Sequence, residues 1–322
     1  MDFVAIGDIV TDTFIKLKEA KVTCDINEVK CTISMPFGEK IPFESMEDVH
    51  AVGNSPNAAV AAAKLGLSST LITDLGDDTN GKWCLATLKA AKVDTSLVKV
   101  HAGSITNHHY VLWYGVDRTI LVKHEAYDYK LPDFAPPKWL YLSSLGENTL
   151  KYHEEIIEYL KKYPRVLLAF QPGTFQINLG AEKLRDIYKR TEIFFCNIGE
   201  AEQILGLKTL GTPELLRRIK DLGPKIVVLT DGPKGAYAYD GGEPIFVPVY
   251  PDGLHPYERT GAGDAFASTC VGALALGKSL EEALKWGAVN SASVVQKVGA
   301  QKGLLARQEI EEKIATWQPE SR

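Results

Sequence analysis

Two glycines flank an alanine at Gly261-Ala262-Gly263, Asp264 follows, and small and apolar residues then run on to Gly277. The run predicts a helix whose first turn is built from Gly261 to Asp264. Glycines there let the backbone approach a ligand closely, and the free N–H groups of a helix start favour an anion. Asp264 in the same turn sets a carboxylate beside that anion site. An anion hole next to a base is what phosphoryl transfer to an alcohol requires: one part stabilises charge, the other takes the hydroxyl proton. A glycine-rich loop capped by an aspartate reads equally well from the same residues.

Other polar groupings could bind a nucleotide or its acceptor. Asn197-Ile198-Gly199-Glu200 follows an apolar run and opens a helix. Its amide and carboxylate could order the waters around a nucleotide-bound Mg²⁺, which keeps several waters and uses few protein ligands. The same residues also spell a helix cap with an acid at the third position. Thr230-Asp231-Gly232-Pro233-Lys234-Gly235 could wrap phosphates with its backbone, Thr230 or Lys234 assisting, or could form a simple hairpin turn. Asp8 and Asp12 lie just beyond the apolar run Phe3 to Gly7, and Asn57 lies near the start of an alanine-rich run. Asn57 could bond a ligand hydroxyl or cap its helix. His101, His108 and His109 have no acid close by in sequence and read as strand or surface residues. Gly76 to Lys82 has Walker A spacing, but Trp83 stands where that loop needs Ser or Thr, and Asp77 and Asp78 would repel phosphates. A turn before a helix suffices there. Gly7 to Asp12 is not a Gly-x-Gly-x-x-Gly turn opening a helix, so a dinucleotide-binding reading fails.

These residues need a scaffold. Phe3 to Gly7 reads as a short buried strand, which puts Asp8 and Asp12 at the end where open α/β sheets bind ligands. Gly53-Asn54-Ser55-Pro56-Asn57 leads into Ala58 to Gly66, a strong helix former with a glycine stop. Thr70 to Thr73 reads as a strand. From residue 138 the rhythm is βα: strands at 138–142, 166–170, 193–196 and 225–229 alternate with helices at 152–162, 181–190 and 200–205. That alternation predicts an α/β fold, a parallel sheet flanked by helices on both faces. Two stretches depart from it. Val29 to Phe37 alternates apolar and polar residues, and Tyr110 to Lys123 reads as strands broken at Gly115-Val116-Asp117-Arg118. The inserts, within about 14–50 and 103–125, could pair into a small β-sheet lid over a site, or extend the main sheet as edge strands. Residues 1–322 read as a single domain, with no repeat, tether or low-complexity segment.

Composition sets outer bounds. Hydrophobic residues are 45% and charged residues 24%, so the chain can bury a substantial core. A net charge of −5 argues against nucleic acid or an anionic membrane as the main partner. Cys24, Cys31, Cys84, Cys196 and Cys270 are an odd, scattered set without a C-x-x-C, which predicts reduced thiols. With no leader or spanning run evident at Met1-Asp2-Phe3 or beyond, a cytoplasmic location is the expectation.

The order Gly7…Asp12, Gly53…Asn57…Leu65-Gly66, Asn197-x-x-Glu200, Thr230-x-Gly232-x-x-Gly235, then Gly261-Ala262-Gly263-Asp264 resembles the PfkB, or ribokinase-like, carbohydrate kinase family over nearly the whole chain. The resemblance implies a ribokinase-like sheet with a β-sheet lid, ATP as co-substrate and Mg²⁺ as cofactor. It implies Asp264 as the base, with the amides of Gly261, Ala262 and Gly263 on the transferring phosphoryl group. Asp12, Gly53 and Asn57 would hold the acceptor. Asn197 and Glu200 would organise Mg²⁺ through water. Thr230, Gly232 and Gly235 would hold the ATP phosphates, and Asn290 would line the adenine pocket. Many members carry an aspartate where this chain has Glu258, and it often contributes to a monovalent-cation site. Glu258 is thus the candidate for K⁺, and Arg259 could supply that charge instead. The implied acceptor is a small sugar. A nucleoside, clamped by Phe14, Trp113 or Tyr114, is the alternative, as is a non-catalytic sugar- or nucleotide-binding regulator. The alternation of Val29 to Phe37 suggests a homodimer through the lid.

Overall fold

Short apolar runs in this chain become strands buried on both faces. In the computed structural model, which describes residues 1–24, 31–208 and 210–317, β1 (Phe3–Ile6) sends Phe3 and Ala5 into one core and Val4 and Ile6 into another. Helices cover both sides, so a parallel strand needs no polar face. The chain turns at once into β2 (Val10–Leu17), then an exposed hairpin of β3 (Lys21–Cys24) and β4 (Cys31–Ser34), then the long β5 (Phe43–Val52). It re-enters the main body through α1 (Asn54–Lys64), β6 (Ser69–Gly76), α2 (Thr79–Ala90) and β7 (Val98–His101). A second excursion follows as β8 (His108–Tyr114) and β9 (Asp117–Lys123).

From β10 (Trp139–Leu142) the alternation is regular: α3 (Leu150–Lys162), β11 (Leu167–Phe170), α4 (Thr174–Leu179), α5 (Arg185–Arg190), β12 (Ile193–Asn197), α6 (Ile198–Leu205), α7 (Thr212–Asp221) and β13 (Ile226–Thr230). Then β14 (Ala236–Tyr239) and β15 (Ile245–Val247) double back, before α8 (Ala262–Ala275), α9 (Leu280–Val294) and α10 (Arg307–Thr316).

Among the described residues the main sheet has nine strands in the order β15-β14-β13-β12-β11-β10-β1-β6-β7. All pairs are parallel except those of β14 and β15. The chain winds outward from β1 through β6 and β7, then from β10 the other way. The order therefore reverses between β1 and β10, and a crevice opens where the connections at their carboxyl ends diverge. A second sheet, β5-β2-β8-β9, stands over that end. Its own small core is Val10, Phe14, Val49, Val52 and Val111.

Several expectations need correcting. The helix expected over 181–190 is confined to α5, because α4 ends at Gly180, with φ of 87°, and a turn intervenes. The turn at Thr230 to Gly235 is the hairpin its residues allowed, leading into antiparallel β14, which departs from the βα rhythm of the strands before it. Val29, at the head of the expected alternating stretch, lies outside the described residues; β4 covers its middle. Cys24 and Cys31 are not independent thiols. They face each other across the β3–β4 ladder with Cα atoms 4.0 Å apart and are joined as a disulfide. Cys84, Cys196 and Cys270 are buried and free. Among the described residues no helix is long and apolar enough to cross a membrane.

Candidate active site

The crevice is a cavity of 540 Å³ whose floor is the start of α8. Glu258 anchors the approach: fully buried, its Oε1 accepts the Thr260 backbone N–H (2.7 Å) and hydroxyl (2.5 Å). Gly261 then takes φ of 80° as the N-cap of α8. A Cβ there would stand 2.3 Å from the Cβ of Ala300, so only glycine makes this entry. Gly261, Ala262, Gly263 and Asp264 all line the cavity, which sets the unpaired N–H groups of a helix start around it.

Asp264, third residue of α8, is held by three amides. Its Oδ1 accepts from Asn54 Nδ2 (2.9 Å) and Gln171 Nε2 (3.0 Å), its Oδ2 from Asn57 Nδ2 (2.8 Å). Two of the amide orientations are fixed from behind. The Tyr141 hydroxyl donates to Gln171 Oε1, and Gln301 Nε2 donates to Asn57 Oδ1 at 2.9 Å, so Gln171 and Asn57 must turn their NH₂ groups to Asp264. Burial pushes the Asp264 carboxyl above the usual carboxylate range, while these donors and the charge of Arg118 pull it back. A carboxylate offers about four acceptor positions. Oδ1 is filled and Oδ2 keeps one.

At one end of the cavity the strand termini present Asn197 and Thr230, neighbours in register on β12 and β13. Asn197 caps α6: its Oδ1 accepts the Glu200 N–H (2.8 Å), and Glu200 Oε2 accepts the Asn197 N–H (2.9 Å). The capping box is real, yet both residues also line the cavity. Burial raises the Glu200 carboxyl, with Asp264 adding to the shift. Among the described residues no group of three or more His, Cys, Asp or Glu could hold a metal ion alone. One carboxylate oxygen and an amide do fit Mg²⁺ carried mainly by phosphates and water. Arg118 enters from β9. It lines the cavity, its Nε is buried without a hydrogen-bond partner, and it lies 4.0 Å from Glu258 Oε1. Arg118, rather than Arg259, thus stands beside the carboxylate; Arg259 also lines the cavity but is half-exposed and pairs with Asp117 at 3.7 Å.

Three expected nucleotide residues are elsewhere. Gly232 and Gly235 shape the turn after Thr230 without lining the cavity. Asn290 is fully buried in the core, donating to Thr269 Oγ1 (2.7 Å) and accepting the Leu305 N–H (2.9 Å), so both ends of its amide are engaged. It brackets α8, α9 and the following loop instead of facing a ligand.

The other end holds Asp12, Gly53 and Asn57. Asp12 is 7% exposed and its Oδ1 has no hydrogen-bond partner. Gly53 has φ of 119°, and a Cβ on it would meet the Asp8 carbonyl at 2.7 Å. Asn57 faces both the cavity and Asp264. Here the structure adds residues that sequence reasoning missed. His109, which has no acid close by in sequence, lies 3.3 Å from Asp12, and His124 lies beside His109. Val10, Ile120, Val122 and Phe175 complete the wall. Phe14, Trp113 and Tyr114 do not line it: Phe14 is in the small core, Trp113 packs edge-on against Tyr257, and Tyr114 is exposed. Asn54 could have been found from its place between Gly53 and Asn57, and Gln171 from its place at a strand end. Arg118 left no local signal.

A family model described as pfkB family carbohydrate kinase matches residues 18–307. The chain is 29% identical to a cytidine kinase of Thermococcus kodakarensis, over 83% of this chain and 93% of that one. It is also 29% identical to a ribokinase of Bacillus subtilis, over 90% and 96%. The fold matches that of Arabidopsis thaliana ribokinase complexed with ribose and ATP, with a TM-score of 0.79 at 20% identity, covering 98% of this chain and 99% of that one.

Proposed function

Because the chain belongs to the pfkB family of carbohydrate kinases, we propose that its cavity brings ATP and a sugar-like alcohol together across Asp264, which acts as the general base. The carrying observation is the Asp264 carboxylate. It sits at a helix start beside the Gly261–Gly263 amides, with three amide donors and one vacant acceptor position on Oδ2. An acceptor O–H fills that position. Its oxygen forms a bond to the γ-phosphorus, its proton passes to Asp264, and the bond from phosphorus to the β–γ bridging oxygen breaks, the electron pair leaving with ADP. The helix-start amides and Arg118 face the charge that spreads over the phosphoryl oxygens. Mg²⁺, held through water by Asn197 and the free oxygen of Glu200, would neutralise phosphate charge. Thr230 contributes a hydroxyl at the same end. The second sheet, as a lid, excludes water from the reacting atoms.

Asp12, with its unpartnered Oδ1, receives another hydroxyl of the acceptor. A nucleoside is the second reading, favoured by the apolar and aromatic wall of Val10, Ile120, Val122 and Phe175 near Asp12 and by the likeness to a cytidine kinase. The test is ADP release from Mg²⁺-ATP over a panel of pentoses, hexoses and nucleosides, repeated with Asp264→Asn. We expect the substitution to lower kcat by about 10²–10⁴-fold with ATP binding retained. Wild-type turnover by the variant rejects Asp264 as base. A wild-type protein without acceptor-dependent ADP release rejects the kinase reading itself.

A further inference from the structure

Four side chains line up across the acceptor end, joined by two hydrogen-bonded contacts and, at Asp12 Oδ1, by an ion-pair contact that leaves this oxygen without a hydrogen bond. Asp8 Oδ2 lies 2.9 Å from His124 Nδ1, His124 Nε2 lies 3.1 Å from His109 Nε2, and His109 Nδ1 lies 3.3 Å from Asp12 Oδ1. Asp8 belongs to the main sheet, at the end of β1, and its other oxygen accepts the Tyr129 hydroxyl at 2.8 Å. Asp12 and His109 are register partners on β2 and β8 of the second sheet, and His124 follows β9. Phe175 packs edge-on against His124, with ring centroids 5.4 Å apart. Asp12, His109 and His124 line the cavity, and the four side chains are between 4% and 15% exposed.

Asp8 and Asp12 bring two carboxylates to this end, and the two imidazoles between them are occupied with those carboxylates and, through their Nε2 atoms, with one another. This end of the cavity therefore carries acidic side chains and, among the described residues, no lysine or arginine. Val10, Ile120, Val122 and Phe175 add no charge to this wall. The cavity's arginines, Arg118 and Arg259, pair with Glu258 and Asp117 beside the start of α8.

We propose that the Asp8–His124–His109–Asp12 chain selects a neutral acceptor, a free sugar or nucleoside, and rejects sugar phosphates and sugar acids. This rests on the kinase reading above and deepens it. A carboxylate or phosphate at this end would meet Asp12 with no cation to receive it. A neutral polyol donates a hydroxyl to the vacant Asp12 Oδ1. His109 and His124 are positioning residues: they hold Asp12 in place and tie the second sheet to Asp8 on the main one. The charged groups nearest the pair are Asp8 and Asp12, with Arg118 across the cavity and the Lys123–Glu125 pair flanking His124.

The test compares acceptors that differ by one anionic group: a pentose with its phosphate, a hexose with the hexonic acid, a nucleoside with its monophosphate. Binding is read by calorimetry and turnover by ADP release. The neutral member of the best pair should win by 10²-fold or more in kcat/KM and should bind where its partner does not. His109→Gln and His124→Gln, checked for an intact melting transition, should raise acceptor KM tenfold or more and leave ATP KM unchanged. An anionic member that binds as well as its neutral partner overturns the proposal, as does an acceptor KM unchanged in both variants. The wild-type acceptor comparison stands even if a variant does not fold. If neutral members bind but nothing turns over, the kinase reading fails and this one survives.

Discussion

Gly261 and Gly263 sit two residues apart at the start of α8, yet adding one methyl to each should have opposite effects on stability and the same effect on activity. At Gly263 no atom outside the adjoining helix lies within 4 Å of a built Cβ, and the backbone is not in the left-handed region. Gly263→Ala therefore introduces a better helix former without a clash, a gain of about 0.5–1 kcal/mol. For a chain of this size that raises Tm by roughly 1–3 °C. Gly261→Ala puts a side chain at φ of 80° and its Cβ 2.5 Å from the Cα of Ala300. Left-handed strain of about 1–2 kcal/mol and overpacking of about 1–3 kcal/mol both apply, a loss of roughly 2–5 kcal/mol. If the amides of this turn hold the transferring phosphoryl group, either methyl disturbs the cradle, and kcat should fall by about 10²-fold or more. Calorimetric melting and steady-state kinetics on the two variants read both quantities. A Gly263→Ala protein that melts higher and phosphorylates at the wild-type rate refutes the cradle, because stability then cannot be blamed for anything.

Two further perturbations probe the charges around Asp264. Asn54→Ala removes one of the donors that hold down a carboxyl already raised by burial, so the Asp264 pKa rises further and the acid limb of the kcat/KM profile moves to higher pH. An unmoved limb means that Asp264 is not the group titrating there. Arg118→Met should lower kcat by about 10²-fold or more with little change in acceptor KM, since the guanidinium faces charge that develops in transfer. A variant that only melts lower, with kcat intact, makes Arg118 a structural partner of Glu258.

What could be read from the sequence was local. Gly261 to Asp264 are contiguous, and the chemistry of a helix start follows from adjacent residues, so the candidate anion site and base were legible before any fold was known. Asn197 and Glu200 were legible for the same reason: the capping box read from their spacing is present, and both residues also line the cavity. Register was not legible. His109 looked unpartnered because its acid, Asp12, is remote in sequence; the parallel pairing of β2 with β8 sets His109 directly opposite Asp12. Parallel strands need a long crossover, so no spacing rule links their residues. Cys24 and Cys31 show the antiparallel version, their disulfide following from a ladder that residue spacing alone does not announce. Arg118 reaches Glu258 only because the β8–β9 hairpin lays it over the start of α8. Asn290 erred the other way: it was expected to face a ligand, but a helix has an inner face, and this amide is turned into it. The division has a functional sense. Phosphoryl transfer needs a few groups in one turn, whereas choosing an acceptor needs walls contributed by several strands. A sequence of this kind therefore announces its reaction more readily than its substrate, and the acceptor is to be sought in the register between the two sheets.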